Sequence, residues 1–294
     1  MAELPYPVTD IHVHIQPWDQ LKPEARQVMA RGRSDFRALS EMMSDPRAIL
    51  ERMDAAGLER IGMINYVAEE LMGFTYEVNT WVASIARAAP DRLLAFGGLD
   101  PRDASVIADP GGAVERLMEL GIRGLKIHPP HQALRANAYR AGAAEQRLPA
   151  LEKIYARAAK CRLPVMVHTG TSIFPGARSR YGDPMDCDDV AVDFPDLKLI
   201  LAHAGRPLWC PGAIFLARRH PNIYLDLSSI PPKRLLHYLP ILPRLASSCL
   251  WGTDWPGPGA PGMADNLQAF LDIDLTAEAR QAILHDNARQ LFPP

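Results

Sequence analysis

Eight short apolar runs, each the length of a strand and nearly all followed by a stretch with helical patterning, constrain this chain more than any other feature. They are Val8 to His14, Ile61 to Tyr66, Leu93 to Leu99, Ile122 to His128, Pro164 to His168, Leu197 to His203, Ile223 to Leu227 and Cys249 to Asp254. Helices are expected between them at Pro46 to Gly57, Thr75 to Ala89, Ala104 to Gly121, Glu145 to Cys161, Asp188 to Phe194, Gly212 to His220 and Pro232 to Leu245, with two more closing the chain. Such alternation implies a parallel sheet with right-handed crossovers. Eight units in 294 residues suit an α/β fold of the (β/α)8 TIM-barrel type better than an open doubly wound sheet, and no G-x-G-x-x-G turn follows the first strand. With no linker or composition break, residues 1–294 read as one domain carrying an inserted segment at about 16–45. That segment bears Trp18, Arg26, Arg31, Arg33 and Arg37, and suits binding residues or a solvated helical excursion equally.

Composition narrows the partners. Hydrophobic residues make up 48% of the chain, ample for a core, while a formal charge of −2 and a pI near 6.5 give no electrostatic case for nucleic acid. No run is basic enough for an anionic membrane or apolar enough to span one, and no targeting segment is evident, so a small-molecule partner and cytoplasmic residence are expected. A homodimer is left open. Cys161, Cys187, Cys210 and Cys249 form no C-x-x-C pair and read as reduced residues.

The polar residues inside the apolar runs carry the chemistry. In Val8–His14, side-chain alternation puts Asp10, His12 and His14 on one strand face. Three further runs end in His168, His203 and Asp254, and in a barrel the carboxyl ends of all strands meet at one rim. Imidazole and carboxylate are the usual ligands of a borderline divalent ion, and a catalytic site keeps one position open. His12, His14, His168 and Asp254 are therefore expected to bind one ion, zinc first, with manganese or iron as alternatives. Asp254 is also expected to accept a proton from water. His203 fits either a further ligand or an outer acid/base that polarises the substrate carbonyl, and the second is preferred because the other four already fill the site. Lys126 and His128 share a face of strand four. Lys126 is expected as a charge partner for a carboxylate, with a carboxylated ligand bridging two metals as the alternative, and His128 is expected at the rim. Asp226 is expected to orient a neighbouring histidine. His131, His220, His237 and His285 are assigned no chemistry.

Taken in order, Asp10-Ile-His-Val-His14, Gly124-Leu-Lys-Ile-His-Pro129, Pro164-Val-Met-Val-His-Thr-Gly170, Leu201-Ala-His-Ala-Gly205, Asn222-Ile-Tyr-Leu-Asp226, Gly252-Thr-Asp-Trp-Pro256 and Asn287-Ala-Arg-Gln-Leu-Phe292 resemble the motifs of the amidohydrolase superfamily. The nearest branch is amidohydrolase 2, which includes aminocarboxymuconate-semialdehyde decarboxylase and related hydrolases. The resemblance spans residues 10 to 292 and implies a metal-dependent barrel in which His12, His14, His168 and Asp254 hold one divalent ion, usually zinc, and His203 is the unligated catalytic histidine. Two features depart from the branch: Ala-Gly-Arg-Pro follows His203 where a second Gly is commoner, and the insertion after His14 matches no decarboxylase pattern.

Loop residues Arg178, Arg180, Arg206, Trp18, Trp209 and Trp255 suit a carboxylate-bearing, partly planar substrate, and Arg178, Arg180, Arg206, Trp255 and His128 are the substrate-contact candidates. The leading expectation is a metal-dependent hydrolase that uses an activated water on a C–O or C–N acyl carbon, with His203 stabilising the oxyanion. Non-oxidative decarboxylation of a small unsaturated or aromatic acid is the alternative, and a ligand-binding barrel without catalysis is the third reading.

Overall fold

The computed structural model describes residues 4–140 and 147–293. Its strands are β1 (Thr9–Val13), β2 (Arg60–Met63), β3 (Leu93–Gly97), β4 (Gly124–Ile127), β5 (Val165–His168), β6 (Leu199–Ala202), β7 (Ile223–Asp226) and β8 (Cys249–Leu250). They pair in parallel in sequence order from β1 to β8. The circle closes where the segment after β8 meets β1: Ile11 N–H donates to Trp251 O (3.0 Å), Asp254 N–H to His12 O (2.8 Å) and His14 N–H to Trp255 O (2.7 Å). Every strand residue is buried, as a parallel sheet sheathed by helices requires. The fold is the TIM barrel that the alternation predicted.

Register fixes depth. His168 lies level with Ala202, Ala202 with Asp226, and Asp226 with Leu250, so the polar ends of β5 and β7 reach the same rim. Lys126 pairs with Met166 and therefore sits two residues deeper than His168.

Several helices differ from expectation for local reasons. The helix expected over Ala104 to Gly121 is two, Ala104–Ala108 and Pro110–Glu119, because Pro110 has no N–H to continue the ladder and Asp109 caps the second through Gly112 N–H. The stretch Pro232 to Leu245 breaks into short turns around Pro240 and Pro243. Pro149 opens the helix Pro149–Lys160, and the expected start at Glu145 lies outside the described residues. Asp45 caps the helix Pro46–Ala55 through Arg47 N–H, and Gly57 follows at φ +71°. The last strand stops at Leu250 because the chain then turns toward β1 and passes through a left-handed Asp254 at φ +64°.

The inserted segment folds against the barrel. Trp18 is buried and stacks on Phe36 at 4.9 Å, while Met29 and Met43, from the helices Pro23–Ala30 and Phe36–Met43, join the core. Arg33 donates to Pro256 O (2.6 Å) and Gly257 O (2.9 Å), tying the insertion to the loop that carries Asp254. Among the described residues no helix is long and apolar enough to cross a membrane.

Candidate metal centre

Strand ends β1, β5, β6 and the turn after β8 deliver His12, His14, His168, His203 and Asp254 to one cavity of about 200 Å³, small for a ligand pocket. Nε2 of His14 lies 2.9 Å from Asp254 Oδ1, and Nε2 of His12 lies 3.4 Å from the same oxygen. Two ligands about 2.0–2.1 Å from a tetrahedral zinc stand roughly 3.3 Å apart, so these spacings match ligands that share an ion. Among the described residues, His12, His203 and Asp254 form a group whose ligand atoms all lie within 4.8 Å of one another. The group with mutual contact thus contains His203, which sequence reading kept outside the ligands, and lacks His14 and His168. His168 stands against His203, ring centroids 4.7 Å apart. Buried nitrogens without a hydrogen-bond partner include His12 Nε2 and His168 Nε2, an arrangement that costs stability unless something fills it. On donor chemistry and on these orphaned atoms, the residues fit a borderline divalent ion.

The supporting contacts decide which nitrogen each ring offers. His12 Nδ1 donates to Asp226 Oδ2 at 2.5 Å, leaving the Nε2 lone pair toward the cavity. Asp226 therefore orients a histidine, as expected. His203 Nδ1 faces Ser228 O at 3.2 Å and Ser228 Oγ at 3.0 Å; a carbonyl only accepts, so Nδ1 carries the hydrogen and Nε2 presents a lone pair. That neutral tautomer accepts a proton or a ligand bond at Nε2, and it donates from Nε2 only after taking up a proton there. Burial lowers the pKa of His12 and His168 well below the imidazole range and pushes His203 down to about 3. Burial alone would raise Asp254, but His203, His14 and His12 outweigh it and hold the carboxyl well below its usual range.

Asp10 shares the strand face of His12 but serves as a clip. Its Oδ1 accepts from His12 N–H (3.1 Å) and Thr253 N–H (3.0 Å), and its Oδ2 accepts from Thr253 Oγ1 (2.6 Å), fixing β1 against the residue before Asp254. Lys126 is fully buried beneath the site. Its Nζ lacks a partner, and burial brings its pKa down to about 8 against the pull of Asp226 and Asp254. It feels the charge of those two carboxylates, as expected of a charge partner, but forms no hydrogen bond to either.

Of the substrate-contact candidates, His128 and Arg206 line the cavity. Arg206 donates to Ser229 Oγ at 2.8 Å and keeps a buried Nε without a partner. Arg178 and Arg180 are exposed and do not line it; Arg180 packs on the Tyr181 ring. Trp255 is buried beneath Arg52, also off the cavity lining. Sequence reading missed His131, Tyr66, Met29 and Phe174, all lining residues. The His128-x-x-His131 spacing was the one available signal, since a single turn brings those two rings together.

A barrel whose strand ends gather imidazoles and a carboxylate in one small cavity defines a class of metal-dependent enzymes. The amidohydrolase 2 model, described as "Amidohydrolase", matches residues 9–293, and the chain belongs to this family. Its members are enzymes of small-molecule substrates and are generally metal-dependent. Similar solved structures include an uncharacterised TIM-barrel protein from Bordetella bronchiseptica (23% identity, TM-score 0.73, covering 97% of each chain). A 2,6-dihydroxybenzoate decarboxylase with 2,6-dihydroxybenzoate bound is 18% identical (TM-score 0.67; 98% of this chain, 100% of that one). A probable 2-pyrone-4,6-dicarboxylic acid hydrolase from Acinetobacter baumannii is 15% identical (TM-score 0.65; 97% and 98%). At such identities the likeness shows the fold alone. Comparison with curated proteins gives no match.

Proposed function

We propose that this chain is a metal-dependent hydrolase of small carboxylate-bearing substrates, acting on a C–O or C–N acyl bond. In this reading His12, His14, His168 and Asp254 hold one divalent ion, zinc by donor type, and His203 faces the substrate. When bound, such an ion supplies Lewis acidity and a water acidified toward neutral pH. The observation that carries the reading is the gathering of His12, His14, His168, His203 and Asp254 on the lining of one cavity that Arg206 also lines. Arg206 Nε offers the carboxylate a donor, and Asp254 and the Nε2 lone pair of His203 are the proton acceptors.

The second reading, decarboxylation of a small aromatic or unsaturated acid, is favoured by the ring-lined wall of Tyr66, His128, His131 and Phe174, which suits a planar acid. Incubation of metal-loaded protein with lactones and with hydroxybenzoates separates the two: lactone opening supports hydrolysis, and carbon dioxide release without lactone turnover rejects it. Metal content of His203→Asn and His168→Asn tests the ligand assignment. His203→Asn should keep about one equivalent of metal and lose turnover, whereas His168→Asn should lose metal; the reverse pattern overturns the assignment. Less than about half an equivalent in the wild type, with no gain on reconstitution, would favour a barrel that only binds.

A further inference from the structure

His128, just beyond β4, is sandwiched between His131 and His168, with ring centroids 3.5 and 3.9 Å away and interplanar angles of 18° and 17°. The turn that follows grips it on three sides. Its N–H donates to Gln132 Oε1 (2.9 Å), its carbonyl accepts from the N–H groups of His131 and Gln132 (each 2.9 Å), and its Nδ1 faces the His131 N–H at 3.3 Å. A hydrogen on Nδ1 would point at the hydrogen of that N–H, so the neutral ring carries its hydrogen on Nε2. His131 is pinned in turn through both nitrogens, to Tyr66 Oη (2.9 Å) and Ser172 Oγ (2.8 Å), so the stack has no freedom to slide. Among the described residues no protein group takes His128 Nε2, and the ring lines the cavity. Lys126 Nζ and Arg206 Nε, both without partners, lie on the same lining, so this cavity has hydrogen-bond donors in surplus on residues outside the ligand group.

We propose that His128 is a specificity-determining residue that presents a fixed Nε2–H donor to a carbonyl or carboxylate oxygen of the substrate. This rests on the site under Proposed function being the substrate site, and it names what the substrate must carry there. A site built to satisfy an acceptor leaves its donor unpaired against an apolar isostere, and discrimination by such an unpaired group is steep.

The test uses metal-loaded full-length protein labelled with ¹⁵N-histidine, and benzoate as probe. Long-range ¹H–¹⁵N correlation should give His128 the pattern of a neutral ring protonated at Nε2, and saturating benzoate should move the Nε2 resonance. Calorimetry should show benzoate binding weakened at least about 10-fold in His128→Phe, which keeps a flat ring without the donor, and largely restored in His128→Gln, whose amide can donate from a similar reach. A ring protonated at Nδ1, or equal benzoate affinity in wild type and His128→Phe with the same melting temperature, overturns the proposal. Should His128→Phe fail to fold, the tautomer measurement on the wild type still decides. Benzoate binding that depends on His128 in a protein that opens no lactone would sink the hydrolase reading and leave this one standing.

Discussion

Replacing Asp226 by Asn changes one atom and should disable the centre from behind. Asp226 Oδ1 accepts from Ser228 N–H at 2.8 Å, and that donor belongs to the backbone and cannot turn away. The carbonyl oxygen of an Asn must therefore stay at Ser228, which places its NH₂ where Oδ2 now receives His12 Nδ1–H at 2.5 Å. Two donors then face each other. His12 can escape by moving its hydrogen to Nε2, which removes the lone pair aimed at the cavity, or it can keep Nδ1–H and lose a charge-assisted hydrogen bond worth about 1.5–3 kcal/mol. Either route weakens metal binding by about 10–100-fold, the range found for the partners behind metal-ligating histidines. A competition titration of zinc against a chromophoric chelator, at pH 7.5 on wild type and Asp226→Asn, measures the ratio. Circular dichroism and melting of the metal-free forms show whether the barrel is kept. A folded variant with zinc affinity within twofold of wild type would mean that His12 Nε2 is no ligand.

Three other perturbations test different parts of the site. Stripping metal should lower the melting temperature, because an ion held at 100 times its Kd contributes about 2.7 kcal/mol; the drop should be about 5–10 °C and reversed by zinc, and a scan unchanged by chelator would count against a resident ion. Lys126 has its pKa lowered from 10.5 to about 8 by burial, so between those values the unfolded chain holds a proton that the native chain has released, and stability rises with pH. In metal-free Lys126→Met that rise, on the order of 3 kcal/mol, should vanish from urea titrations at pH 8 and 10.5; an unchanged slope would show that Lys126 is not its source. Gly252→Ala would place a methyl 2.8 Å from His12 Cβ and 2.9 Å from Asp226 Oδ1. Overpacking of this kind costs about 1–3 kcal/mol, and zinc affinity should fall with stability; a variant matching wild type in both would show that the His12–Asp226 pair has room to yield.

The division between what the sequence disclosed and what it withheld follows from how many chain segments must agree to place a side chain. His12, His14, His168, His203 and Asp254 were readable because each needs only its own strand: a polar residue at the carboxyl end of an apolar run reaches the rim wherever the barrel closes. Asp10 obeyed the same alternation yet became a clip, because alternation gives the face of a residue and not its depth, and depth is set by the meeting of β1 with Thr253. Loop residues need several segments at once. Arg206 reaches the cavity while Arg178 and Arg180 do not, although all three are arginines in loops after neighbouring strands. The difference is local: Gly170, at φ +100°, has room for no Cβ because it would collide with Arg206 O, and this close approach seats the Arg206 loop against the end of β5. His131 was hidden for a related reason, since its place depends on a one-turn helix, Pro129–Gln132, whose first residues are prolines and whose pattern has no apolar period to read. The metal-type residues were thus legible in composition and strand position. The residues that choose the substrate were not, because they sit where the chain is held by contacts between loops, and those contacts leave little periodic trace.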